Sequence, residues 1–306
     1  MTLSANTGKK RSGQHSFDHG INHVVASKDG RLIATSDVDM NVRVESNGNC
    51  VFDQNFQSEN EKIRPTDRIR GLCFSEDSSL LWVASGDRVL AFSTRAWLQV
   101  WEYVAPRSFG FLIISPIALD SSKTGDFVGA FDNGTMSIWS QDGIRKHTIR
   151  DNDSPRWLRY SEDGSSIMGT DSFSVCRWNL HGGKSKEKIA LSDRAFGFAS
   201  SPDCKTFAIR TLSEILIWDF DSRTILSKFR VGASIPLLAF HPSEPLVIYG
   251  EQNCIRVVDY SGQVLEEKSL DVASALSIGF ADGGKRLLVG CTELNLIQSD
   301  FSVQAV

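Results

Sequence analysis

No apolar run in the 306 residues approaches the ~18 needed to cross a bilayer. Prolines are few, eight in all, and no Pro/Ser/Gly tract marks a linker between domains. The six cysteines, Cys50, Cys73, Cys176, Cys204, Cys254 and Cys291, are scattered and include no C-x-x-C pair. A disulfide framework or a zinc site needs closer or patterned spacing, so free thiols in a reducing compartment are expected. G-x-S-x-G, the P-loop, H-E-x-x-H and G-x-G-x-x-G are all missing, and with them any linear sign of catalysis or of a cofactor. A basic surplus is also missing. The net charge of -4 and pI of about 5.9 argue against a dedicated nucleic-acid binder, although a local basic patch is compatible with them. The polar stretch from Met1 to Gln14, with Lys9, Lys10 and Arg11, is followed by no apolar segment and is not expected to be a signal peptide. An intracellular protein without membrane insertion follows, cytoplasmic first and nuclear as the alternative.

What the chain does have is a repeat. Hydrophobic residues make up 41% of it, enough for a sizeable core. One ladder is the residue pair that closes a short apolar strand and enters a polar turn. It reads Glu45-Ser46, Phe92-Ser93, Trp139-Ser140, Trp178-Asn179, Trp218-Asp219, Val258-Asp259 and Gln298-Ser299, with steps of 47, 47, 39, 40, 40 and 40 residues. Upstream of most rungs lies a second ladder of tight turns: Ser27-Lys28-Asp29-Gly30, Ser75-Glu76-Asp77-Ser78, Ser161-Glu162-Asp163-Gly164, Ser201-Pro202-Asp203, His241-Pro242-Ser243 and Ala281-Asp282-Gly283-Gly284. Asp bonds its own backbone, Pro fixes φ and Gly permits φ > 0, so each suits a turn. The third repeat is irregular and turns within Ser121 to Gly125. In the fifth repeat, strands are expected over Thr206 to Arg210, Glu214 to Trp218 and the more polar Ile225 to Arg230. Four strands per ~40 residues without a helical stretch predict an all-β fold: a seven-bladed propeller of four-stranded antiparallel blades.

On these rungs the chain resembles the WD-repeat family over roughly residues 15 to 300. Trp218-Asp219 spells the family's dipeptide, and Trp139-Ser140 and Trp178-Asn179 are near forms. The family's Gly-His dipeptide is missing, which makes this a divergent member. The resemblance implies a ring closed by the N-terminal strand. Gly13 to Asp18 is expected to supply the outer strand of the last blade, because an open ring exposes two unpaired sheet edges. Residues 1–12 are then a flexible polar tail, and 13–306 one propeller.

In such a fold the loops carry function. The longest inter-blade connection is Gln57 to Arg68, followed by Val104 to Phe111 with Arg107, Phe109 and Phe111. Asp67-Arg68-Ile69-Arg70-Gly71 parallels Asp193-Arg194-Ala195-Phe196-Gly197, and Asp153-Ser154-Pro155-Arg156-Trp157 is related. Arginine and aromatic residues dominate interface hot spots. The expected partner-binding set is therefore Arg68, Arg70, Arg107, Phe109, Arg156, Trp157, Arg194 and Phe196. Acidic residues recur between second and third strands (Asp37, Asp39, Asp87, Asp132, Asp171, Glu214, Glu251 and Glu293), and turn fixing is the commoner role for such residues. His15, His19 and His23 lie four apart but have no completing ligand. The expected function is a non-catalytic protein-interaction scaffold, a subunit or adaptor that binds proteins or peptides through the loop face or rim. A propeller enzyme or small-ligand binder with a site in the central channel, and a ribonucleoprotein component, are the alternatives.

Overall fold

The computed structural model describes residues 2–3, 20–57, 68–106, 114, 116–151, 155–181, 186–232, 237–251, 254–270, 275–291 and 296–301. They form seven sheets, one per blade in chain order, antiparallel apart from the short strand Thr2–Leu3. The fifth is typical: Gly197–Ser200, Thr206–Arg210, Glu214–Asp219 and Thr224–Arg230 pair in sequence as an up-and-down meander. The second and third strands are nearly all buried, and the fourth is largely exposed. This gradient explains why the middle strands read as continuous apolar runs: sheets cover both of their faces. The two 47-residue steps have their extra residues between blades. The connections span residues 56–68 and 105–115, against 191–196 later in the chain.

The turn ladder is one hydrogen-bonded module used repeatedly. In the first, second, fourth and fifth blades a buried serine (Ser27, Ser75, Ser161, Ser201) donates its hydroxyl to the aspartate two residues on, at 2.6–2.7 Å. The same hydroxyl accepts the backbone N–H five residues on at 2.9–3.0 Å. The aspartate accepts the N–H two residues beyond itself at 3.0–3.2 Å. The third blade has a shorter version, in which Ser122 Oγ accepts from Asp126 N and Thr124 takes the aspartate's place. In the sixth blade His241 Nδ1 does the serine's work and accepts the Glu244 N–H at 2.9 Å, while Nε2 faces Gly284 O in the seventh blade at 3.2 Å. The rung aspartates hold the next turn: Asp219 accepts from Ser222, and Asp259 from Ser261 and Gln263.

The ring closes where the seventh blade meets the first. The apolar contact there is small: Val24, Ile33, Ala281 and Leu288. Polar clamps add to it. Ser277 Oγ donates to Ile21 O at 3.0 Å, and Arg286 reaches Gly30 O at 2.7 Å while also binding Asp282 and Gln298. Gly290 permits the close approach, since a Cβ there would lie 2.6 Å from Ile21 Cγ2. Among the described residues the seventh sheet has three strands, Ala275–Ala281, Arg286–Cys291 and Leu296–Asp300. Gly13 to Asp18, expected as its outer strand, lies outside the described residues. Thr2–Leu3, from the segment read as a free tail, instead pairs in parallel with Ser269 and Leu270 on the outer strand of the sixth blade. No helix of the described residues is long and apolar enough to cross a membrane.

Acid is expected to weaken the ring in two stages. Burial pushes the imidazole of His23 down to about 4, with a hydrogen bond to the Arg70 backbone pulling the other way. The ring is therefore neutral in the fold, and its Nδ1 meets Ser36 Oγ at 2.9 Å. A depressed folded value means stability is full above the unfolded histidine value of about 6.5 and falls as pH drops toward 4. The second stage belongs to the turns. The Ser161 hydroxyl, then the Ser165 N–H, hold Asp163 down at about 2, and Ser27 lowers Asp29 in the same way. Their contribution is present above about pH 4 and is lost as pH falls toward 2. Thermal melting across this range should show both losses, and His23→Gln should shrink only the first, to which the imidazole of His241, also lowered by burial, contributes as well. An unchanged first stage in that variant would exclude His23 as a contributor.

Candidate functional site

The face that carries the inter-blade connections also carries the tips of the hairpins joining second to third strands. In the second and third blades these tips are small and polar, with Gly86 and Gly134 in the left-handed region at φ 59° and 79°. Asn133 Oδ1 accepts Thr135 N at 3.0 Å and fixes the third-blade tip. The fourth blade departs from this. Ser172 occupies the left-handed position at φ 95°, where glycine is favoured, and Phe173 follows it at the tip. Asp171 Oδ1 holds this conformation by accepting Phe173 N at 2.8 Å and Ser174 N at 2.7 Å. In the fifth blade Thr211 and Glu214 close the hairpin through Thr211 N to Glu214 O and Glu214 N to Thr211 Oγ1, which leaves Leu212 at the tip. Phe173 is 62% exposed and Leu212 70%.

The connection between these two blades is fastened to both tips. Ala195 N donates to Ser172 O at 2.6 Å, and Phe196 N donates to Arg210 O at 2.8 Å. Ala195 is buried, whereas Arg194 and Phe196 stand outward, Phe196 at 40% exposure. The Arg194 guanidinium lies 5.2 Å from the Phe196 ring centroid, within cation–π range. Arg156 joins the group from the blade's other side: its N–H donates to Thr170 O at 2.8 Å, next to the Asp171 turn, and its side chain is exposed. Arg230, paired with Glu214 in the ladder, ends the outer strand of the fifth blade beside Leu212 and is also exposed. Phe173, Phe196 and Leu212, with Arg156, Arg194 and Arg230, thus share one face over two adjacent blades.

The residues expected from sequence divide. Arg156, Arg194 and Phe196 come together here. Arg68 is exposed and Arg70 half-buried, but both belong to the second blade, away from this group. Trp157 packs half-buried into the core between the fourth and fifth blades with Met168, Phe198 and Phe207. Arg107 and Phe109 lie outside the described residues, as do Phe111, His15 and His19. Phe173, Leu212 and Arg230 were missed. A large apolar residue at a hairpin tip, where the aligned repeats have Gly86-Asp87 or Asn133-Gly134, is the signal that identifies the first two.

The recurring acids prove to be turn and clamp residues wherever they are described with partners. Asp37 accepts Asp39 N and Asn41 N, Glu214 pairs with Lys228 at 2.8 Å, and Glu251 accepts Gly232 N at 2.5 Å and pairs with Arg256. On the first strand of the third blade, Pro116–Ser121, burial raises Asp120 above the usual carboxylate range, opposed by Arg159 and by the Tyr160 N–H, which reaches it at 2.6 Å. That bond ties the third blade to the fourth.

Two solved structures share this architecture. One, the structure of U3-55K, is 12% identical, with a TM-score of 0.76 and coverage of 94% of this chain and 97% of that one. The other, the crystal structure of the RRP9 WD40 repeats, is 11% identical, with a TM-score of 0.77 and coverage of 94% and 96%. No family model and no curated protein sequence matches the chain. At such identities the likeness establishes the fold, that of WD40-repeat propellers.

Proposed function

We propose that the chain is a non-catalytic protein-interaction scaffold, a subunit or adaptor of a larger complex, which binds its partner on the face that carries the inter-blade connections. The observation that carries this reading is the exposure of Phe173, Phe196 and Leu212 on one face. Tight turns are ordinarily polar, and grouped exposed apolar residues rimmed by polar ones mark interaction sites. The neighbouring arginines are the residue type most often found with aromatics at interface hot spots. Of the residues expected from sequence, Arg156, Arg194 and Phe196 belong to this surface. Arg68, Arg70, Arg107 and Phe109 extend the proposal to the first two inter-blade connections.

The test is affinity purification of the full chain from its native cell with quantitative mass spectrometry. At least one protein is expected at near-stoichiometric yield. A chain recovered without any such partner, and carrying a bound small molecule instead, would overturn the scaffold reading in favour of a channel site.

A further inference from the structure

We infer that the surface over the fourth and fifth blades binds a short acidic peptide segment carrying two or three large apolar side chains; this rests on the scaffold reading above. The apolar half of the argument is the spacing of Phe173, Phe196 and Leu212. They lie on three successive loops held in place by the bonds from Ala195 N to Ser172 O and from Phe196 N to Arg210 O. The side chains are thus presented by a fixed backbone, which lowers the ordering cost of binding.

The electrostatic half is local. The chain as a whole is acidic, at -4. The cations tied to these loops through the chain, the ladder or an ion pair are Arg156, Arg194, Arg210, Arg230, Lys188 and Lys228, and the carboxylates are Asp171, Asp193 and Glu214, with Glu251 beside the buried Arg210. Lys228 is committed to Glu214 and Lys188 faces Asp171. Asp171 Oδ1 is also occupied by its own turn. Arg156, Arg194 and Arg230 make no ion pair with a described carboxylate and are exposed. A surface with exposed guanidinium groups beside apolar tips complements carboxylates beside apolar side chains. An RNA strand would meet the same arginines. However, the aliphatic Leu212, the most exposed apolar residue of the group, offers no stacking platform for a base, whereas it suits an apolar side chain of a peptide. Peptide is therefore the favoured ligand.

Panning a phage-displayed library of random peptides of about 12 residues against the immobilised full chain tests this. Enriched sequences should combine Asp or Glu with at least two of Leu, Ile, Phe, Trp or Met. Made synthetically and labelled, they should bind at least about tenfold more weakly to the double variant Phe173→Ser, Leu212→Ser, and likewise to Arg156→Glu, Arg194→Glu. Wild-type affinity should fall as salt rises from about 0.05 to 0.5 M, since exposed charges are screened. A photo-crosslinking form of the peptide, mapped by mass spectrometry, should label residues beside Phe173, Phe196 or Leu212 and gives an answer even if a variant folds poorly. No enrichment, enrichment without acids, crosslinks to the rim or the opposite face, or tighter binding of a single-stranded RNA oligonucleotide would each overturn the inference. A native partner still captured by both double variants would likewise end it while leaving the scaffold reading intact. Recovery of no native partner by the wild-type chain is the separate failure of that reading.

Discussion

Phe127→Ala is expected to cost about 4 kcal/mol of folding stability. Phe127 begins the second strand of the third blade and is almost fully buried. Its ring lies between Trp82 of the second blade, with centroids 3.6 Å apart, and Trp139 of its own blade, at 4.9 Å and 10° between planes. Trp101 meets it edge-on at 5.6 Å. Removal of the ring leaves a cavity against three large, stiff neighbours already packed on other strands, so collapse into it is poor. Phe127→Leu keeps most of the volume and gives up the ring contacts; it should cost about 1–2 kcal/mol. Urea denaturation of the three proteins distinguishes these outcomes. An alanine variant within 1 kcal/mol of wild type, on the order of ordinary surface changes, would show that the second and third blades are not coupled through this stack.

Arg210→Met should cost about 3 kcal/mol, for the opposite reason. Arg210 is buried in the second strand of the fifth blade. Its guanidinium donates to Gly232 O at 2.7 Å and Gly250 O at 3.2 Å, and so binds the fifth blade to the sixth. Burial lowers its proton affinity, opposed by the neighbouring Glu251 carboxylate. Arginine still remains charged at any pH at which the protein folds. Methionine fills similar volume but leaves two carbonyls without this donor and takes a positive charge away from Glu251. Arg210→Lys keeps the charge but cannot span two carbonyls with one ammonium, so an intermediate loss is expected. Equal stability of the methionine and wild-type proteins in denaturant would mean that the desolvation of the guanidinium offsets its bonds in full. The position also matters for the site: Arg210 O accepts Phe196 N, so a shift here moves the connection that presents Arg194 and Phe196.

The likeness to solved WD40 structures at 11–12% identity shows how little particular sequence this fold needs. One rung here spells Trp-Asp and none of the repeats has Gly-His. The turn work is done instead by the Ser–Asp module, and in the sixth blade by His241. These bonds are local, between residues two to five apart, which is why they leave a periodic trace in the chain.

For the same reason the sequence by itself determined the number of blades, the strands within them and the turns between. The rung and turn ladders are short-range patterns imposed by hydrogen bonding inside each repeat. The carboxylates that recur between second and third strands were legible as turn residues on the same ground, as Asp37 and Asp171 show. The site was only half legible. Arg156, Arg194 and Phe196 stood out because a motif repeated, but the same motif pointed equally to Trp157, which the core between two blades takes in. Phe173 and Leu212 differ from the small polar tips of aligned repeats, but in a chain 41% apolar that difference alone does not tell an exposed residue from a core one. Only the tertiary structure decides that these tips stand exposed on the same face as Phe196, held apart from the core by Asp171 and Thr211. It also places Thr2–Leu3 on the sixth blade, a contact more than 260 residues apart in sequence that no local pattern encodes. Burial and adjacency between blades depend on contacts far apart in the chain, and these leave no period to read.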